Sequence, residues 1–582
     1  MSPDLGRRGI ALRIIEPLID GVVPAITQRD NQESCILWHL QEGGVVQLTV
    51  ERHDNVERIQ VILEGTAMSP LSLGFRLSAS GVRSYLRNGY HSWDGSFFAA
   101  PGSPGGDGPP GKAPTLGFAM TALLPENGCG ALVLGFERHD RFQTRFRFGG
   151  TSESMTIDVE TLLDRTGEVA GETLLLFDGD NVEEALRTWS RFVAAASPLA
   201  PRLPASRITG WCSWYSLYAS ISEPLILDRL RAAASFRDAR GVPLEVFQID
   251  DGFTPEMGDW LEVKPEFPRG MKPLIKDIAA AGFRPGLWIA PFMVGNRSKL
   301  FAEHPDWVVT DRLTGGPLTQ MHFYGEFRWH KRSEEYYILD ITHPAAEAYI
   351  RSVFRTWSRD WGARYFKTDF MLFGSEHGPD RAKWHRAGLS RIAIWRIMAA
   401  LIREEIGEDA LWLGCGCPLW AAVGYIDAVR IGRDIGVEWH GEYSAESLLR
   451  DQLTRNHASH VLWQADPDCI LLRKDFHLLS DEEISSLALF AGLSGGVLMT
   501  SDKLDELPED RAVMFERLLK LQVAGCSFPN LGEQTGLIEQ VVEIADGSFR
   551  NIFNVGDREA AVAGVSTLAP HSSLLVGHDD LR

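Results

Sequence analysis

In the second half of the chain, carboxylates recur at a spacing that catalysis can use. Asp250 and Asp251 follow one short apolar run, Lys367 and Asp369 end another, and Arg430 and Asp434 a third. Asp466 with Asp468, and Asp502 after Ser501, close two more. Trp214 and Tyr215 follow an earlier run of the same kind, while Trp288 and Cys415 end two others. One Asp in such a place is ordinarily a helix cap. Carboxylates at five nearby strand ends are hard to explain as caps alone, and together they read as a site. No phosphate loop, GxGxxG or Ser nucleophile elbow accompanies them. Carboxylates accept paired hydroxyls, and indole rings cover the C–H face of a pyranose. The set therefore suits a neutral polyhydroxylated ligand, and two of its carboxylates could hydrolyse a glycosidic bond. A divalent metal is the competing use of clustered Asp. Lys367, two residues from Asp369 on the same strand face, would repel a cation, which argues against a metal.

These residues need a frame that brings strand ends together. From about residue 206, short apolar segments alternate with helix-length ones, the pattern of a parallel α/β sheet. Eight strands are expected: 210–213, 245–249, 284–290, 364–368, 411–414, 428–432, 461–464 and 496–500. Eight β/α units predict a (β/α)8 TIM-like barrel over 206–510, with its site on the face where the strands end. Residues 1–205 alternate in short segments between Gly, Asp and Asn turns and predict an antiparallel β-sandwich. Residues 511–582 predict a small β-rich domain. The Gly/Pro tract 99–113 can pack as neither strand nor helix, and reads as a loop able to act as a lid or a subunit contact.

Composition narrows the function. In 582 residues, Lys+Arg 58 against Asp+Glu 78 leaves a net charge of −20, with no basic run. Binding to nucleic acid or to anionic membrane is thus not expected. No apolar stretch is long enough to span a bilayer. The first residues lack a signal-peptide pattern, so the cytoplasm is the expected compartment. Seven Cys at scattered positions do not form a disulfide framework. Self-association is left open.

An ordered series of motifs resembles glycoside hydrolase family 36, the retaining, melibiase-type α-galactosidases. It comprises Trp211-Cys-Ser-Trp-Tyr215, Phe247-Gln-Ile-Asp-Asp-Gly252, Gly258-Asp-Trp260, Gly286-Leu-Trp-Ile-Ala-Pro-Phe292 and Glu303-His-Pro-Asp-Trp-Val308. Tyr365-Phe-Lys-Thr-Asp-Phe370, Leu413-Gly-Cys-Gly-Cys-Pro-Leu419, Arg430-Ile-Gly-Arg-Asp434 and Asp466-Pro-Asp-Cys469 complete it. Ahead of the barrel, Asn88-Gly-Tyr-His-Ser-Trp93 is similar to the segment by which that family's sandwich lends a Trp to the site.

The resemblance implies a retaining exo-glycosidase acting on melibiose- or raffinose-like oligosaccharides, with no cofactor or metal required. In that reading Asp369 is the nucleophile and Asp434 the acid/base. Lys367 binds a sugar hydroxyl and keeps Asp369 ionised, and Asp250 and Asp251 hold the 4- and 6-hydroxyls. Trp214, Trp288 and Trp93 wall the sugar pocket, with Tyr215 among the binding residues, and Arg430 and Cys415 face the 2-hydroxyl. The alternative is another α-glycoside, such as an α-N-acetylgalactosaminide, with Gly416 leaving room for a bulky 2-substituent. Three departures from the family pattern carry expectations of their own. Arg433 should point away from the chemistry, by strand alternation. Cys417 and Trp420 should alter the rim near the 2-position.

Overall fold

The computed structural model describes residues 5–102, 115–322, 333–441, 444–533, 536–562 and 567–578. Most of the 99–113 tract lies outside them.

The N-terminal part packs a five-stranded antiparallel sheet against a nine-stranded one. Its strands bury every second residue, as in Cys35–Leu40 and Val56–Glu64, and the two inner faces meet in one core that includes Trp38, Leu48, Phe75 and Phe146. Helix Val182–Ala196 follows, capped by the Asn181 side chain. It sets Trp189 against Trp420 and His457, so that sandwich and barrel share a core. This corrects the expectation for Trp420: it is buried between the two bodies, far from any rim.

The barrel strands are β1 (Thr209–Cys212), β2 (Val246–Ile249), β3 (Arg284–Ile289), β4 (Tyr365–Thr368), β5 (Leu411–Gly414), β6 (Ala428–Arg430), β7 (Gln464–Asp466), β8 (Cys469–Ile470) and β9 (Leu498–Thr500). All neighbours in this sheet are parallel. Most of the strands are buried throughout, as expected where helices cover one face and the barrel interior the other. The ring closes where Val497 N–H donates to Ala465 O at 2.8 Å and β8 pairs with β9.

One expected strand is misplaced. The apolar run 461–463 forms a turn, with Val461 and Leu462 N–H both bonding Ala458 O, and the strand begins only at Gln464. A short apolar run has the same composition whether it lies in a strand or in a buried turn, so periodicity cannot separate them. The connection between β3 and β4 also carries a three-stranded antiparallel sheet, of Met293–Gly295, Thr319–His322 and Glu335–Ile338, an element additional to the eight expected strands. After helix Glu509–Lys520, the chain ends, among the described residues, in a four-stranded antiparallel sheet and a two-stranded ladder.

Candidate active site

The C-terminal ends of the barrel strands converge as the motif spacing implies. Asp369 sits one residue beyond β4, where Phe370 turns into a left-handed conformation with φ 51°. That turn aims the Phe370 N–H at Asp369 Oδ1 (2.8 Å), and Trp288 Nε1 donates to Oδ2 (3.1 Å). The carboxylate is thus held by two donors and is 8% exposed, toward the cleft. Burial pushes its pKa above the usual carboxylate range, and the Lys367 ammonium pulls against that.

Lys367 does not touch Asp369. Its Nζ pairs with Asp250 Oδ2 at 2.9 Å, an oxygen that also accepts from Gln248 Nε2 (2.6 Å) and the Cys212 thiol (3.4 Å). The Asp250 N–H donates to Ser213 Oγ (2.8 Å), and the Asp251 N–H returns to Asp250 Oδ1 (2.9 Å). Burial disfavours the Lys367 charge, but Asp250 outweighs it and holds the ammonium well above its ordinary pKa.

On the opposite arc, Arg430 is fully engaged. Its guanidinium meets Asp434 Oδ1 (3.1 Å), Asp466 Oδ2 (3.1 Å) and Asp468 Oδ1 (2.8 Å). Tyr215 donates its hydroxyl to Asp468 Oδ2, and the Ile435 N–H reaches the same oxygen at 3.0 Å. Asp434 rides on this lattice with its side chain 42% exposed to the cleft. Enclosure by the site raises its pKa, Arg430 opposes the shift and Asp468 adds to it. The open side keeps water in reach of the carboxyl. Asp466 and Asp468 are legible in the sequence as strand-end carboxylates, but their task of orienting Arg430 is not. Asp502 is the bland case after all: its carboxylate caps the Leu472 and Arg473 N–H groups.

The sandwich reaches the site through residues 88–96. Buried Arg455 donates to Ser92 O (2.7 Å), Ser96 Oγ (3.2 Å) and the Asp94 carbonyl. The Ser92 N–H bonds Cys417 O (3.1 Å), and the Cys417 N–H returns to Ser92 Oγ (3.0 Å). Cys417 is therefore a buried anchor of this strap and does not shape the rim. Thus fixed, Trp93 packs edge-on to Phe370 with ring centroids 5.0 Å apart. Trp93, Trp214 and Tyr218 lie over an apolar floor that includes Cys212, Tyr215, Cys415 and Cys469.

Two further expectations change. The strand ends at Arg430, so alternation does not govern Arg433; its Nε donates to the Trp93 carbonyl at 3.1 Å and braces the strap. Gly416 leaves no free space, because a Cβ there would lie 2.8 Å from the Trp93 ring and 3.0 Å from the Phe370 nitrogen.

Fold and site together define a parallel barrel whose strand-end carboxylates line a cleft supported by the sandwich. Residues 228–404 match the family described as Melibiase. Over 179 residues the chain is 27% identical to an α-galactosidase of Escherichia coli, a match covering 30% of this chain and 20% of the relative. An α-galactosidase from Thermus thermophilus, solved in complex with p-nitrophenyl α-D-galactopyranoside, aligns with TM-score 0.63 and 27% identity over 82% of this chain and 95% of that one. The GH36 α-galactosidase AgaA from Geobacillus stearothermophilus shares the fold at TM-score 0.57 and 13% identity, over 97% of this chain and 85% of that one. The chain is thus similar to melibiase-type glycoside hydrolases over its central part, and it spans about a fifth or less of the length of the first curated relatives it matches.

Proposed function

We propose that the protein removes terminal α-D-galactosyl residues from melibiose- or raffinose-like oligosaccharides with retention at C1. The arrangement of Asp369 carries this reading: a carboxylate held by Trp288 and the Phe370 N–H, across the cleft from the water-accessible Asp434. In the first step Asp369 attacks the anomeric carbon and Asp434 protonates the leaving oxygen. In the second, Asp434 deprotonates a water that displaces Asp369, and each step inverts C1. Asp250 and Asp251 hold hydroxyls of the sugar, with Lys367 paired to Asp250 and fixing its position. Relatives support the substrate class, since the Thermus thermophilus enzyme was also solved in complex with stachyose.

The α-N-acetylgalactosaminide alternative loses its main support, because the Trp93 indole fills the space at Gly416. A screen of nitrophenyl α-glycosides with anomer-resolved NMR of the products tests the proposal. The α-galactoside should be the best substrate, with α-galactose appearing first. A clear preference for the N-acetyl sugar, or β-galactose as first product, would refute it. No helix among the described residues is long and apolar enough to cross a membrane. All seven cysteines are unpaired thiols, which suits the reducing cytoplasm we propose as the location.

The Lys367 pair sets what substitution of Asp250 should do. Asp250→Ala strands a buried ammonium, which costs about 3–5 kcal/mol, so this variant should lose stability as well as activity. Asp250→Asn keeps the shape. It should lower kcat/KM about ten- to a hundredfold, the scale of a lost charge-assisted hydrogen bond, with a smaller drop in melting temperature than Ala causes. Unchanged kcat/KM alongside a lowered melting temperature would mean that Asp250 only supports the strand end.

Trp93→Ala should raise KM for the galactoside severalfold, because about 0.5–1.5 kcal/mol of ring contact is lost. Arg433→Ala, which frees the strap without touching the cleft wall, should move KM in the same direction by less. If Trp93→Ala binds substrate as wild type does, the sandwich is a scaffold only.

A further inference from the structure

Apart from the strand-end carboxylates, three side chains converge where the barrel meets the C-terminal sheet. His440 lies on the segment that follows Asp434, while Asp557 and His571 lie on two loops of the C-terminal part. One ligand-capable atom from each falls within 4.8 Å of the others. His571 Nε2 is 3.0 Å from Asp557 Oδ1, and His440 Nε2 is 3.3 Å from the same oxygen. A tetrahedral zinc with ligands at about 2.0–2.1 Å has ligand-to-ligand edges of about 3.3–3.4 Å, so these separations are close to what the ion requires.

The other nitrogen of each ring is also engaged. His571 Nδ1 meets Glu483 Oε1 at 2.6 Å, and His440 Nδ1 meets Glu446 Oε2 at 3.3 Å. A carboxylate behind each imidazole is the arrangement that fixes the tautomer and turns Nε2 toward a metal. The frame is stiff as well. Asn554, buried at the base of both loops, donates to Arg558 O, Leu568 O and Ala569 O at 2.8–3.0 Å. The His571 ring stacks on Trp439, with centroids 3.7 Å apart and planes 11° from parallel. Glu483 completes the capping box of helix Asp481–Gly492, so its position is set by the helix start.

We propose that His440, Asp557 and His571 form a zinc-type divalent metal site, with water as fourth ligand, that clamps the segment after Asp434 to the C-terminal domain. Two imidazoles and one carboxylate suit zinc or a neighbouring transition ion better than calcium or magnesium, which favour all-oxygen sets. The ligands are separated by more than a hundred positions, His440 to Asp557, and so form no sequence motif.

The test uses the full chain, stripped with a chelator, dialysed, and titrated with zinc sulfate at mildly alkaline pH. Bound zinc is read by mass spectrometry after equilibrium dialysis, and the unfolding midpoint by calorimetry. Wild type should bind one zinc per chain and melt about 2–4 °C higher with it. His440→Ala alters a side chain that is 61% exposed, so it should fold normally and lose both effects. Asp557→Asn, at a side chain 69% exposed, should do the same. If wild type binds no zinc, or if both variants bind as much as wild type, the cluster is only a set of polar contacts between the barrel and the C-terminal sheet and the proposal fails.

Discussion

Asp369→Gly is expected to lose at least about 10^4-fold in kcat, the scale on which removing a nucleophile falls, and to regain turnover of an activated α-galactoside when azide is supplied. The substitution opens a hole on the β face of C1, bounded by the Trp288 indole N–H and the Phe370 N–H that formerly held the carboxylate. Both donors favour an anion, so azide should occupy the hole and attack C1 once, giving the β-galactosyl azide. The fold should tolerate the change. Asp369 lies outside β4, and the Lys367–Asp250 pair does not depend on it. An α-azide from this variant, or no rescue together with substantial residual hydrolysis, would move the nucleophile elsewhere.

The parallel strands and the strand-end carboxylates are legible in the amino-acid sequence, because a buried parallel strand is a short apolar run and its polar successor is conspicuous. Val246–Ile249 followed by Asp250 and Asp251 is such a case. What alternation and spacing do not encode is which charge meets which across the barrel. Lys367 shares its strand end with Asp369, yet bonds Asp250 from two strands away. Arg430 gathers three carboxylates, two of which lie past the end of β6 on a different strand and its following turn. Such pairings depend on register and side-chain reach, and a linear reading supplies neither. The same limit explains Trp420 and Cys417. Both follow the end of β5 and so resemble rim residues, but the sandwich covers that side of the barrel and turns the rim into an interior.

That cover has a chemical consequence. The 88–96 strap contacts the residue after Asp369 through Trp93 and Phe370, and Arg433, the residue before Asp434, through the Trp93 carbonyl. One segment of the sandwich is therefore in contact with the flanks of both proposed catalytic carboxylates. The geometry between them depends on a part of the chain outside the barrel.

Asp434→Ala should separate the two steps. With a leaving group that needs protonation, kcat should fall by about 10²–10⁴-fold, the usual worth of general acid catalysis. With a nitrophenolate the first step should persist, and the β-linked intermediate on Asp369 should accumulate as a burst. Azide, small enough to enter where Asp434 stood, then attacks that intermediate from the α face and should yield the α-galactosyl azide, opposite to the product of Asp369→Gly. The pH profile offers a second readout. In the proposed mechanism Asp434 is protonated for the first step, and its pKa is raised in the fold, so wild-type kcat/KM should fall on the alkaline side as Asp434 ionises, and on the acid side as Asp369 takes up a proton. Asp434→Ala should flatten the alkaline limb and keep the acid one. Loss of the acid limb instead, or the same azide anomer from both variants, would show that the two carboxylates have been given each other's roles.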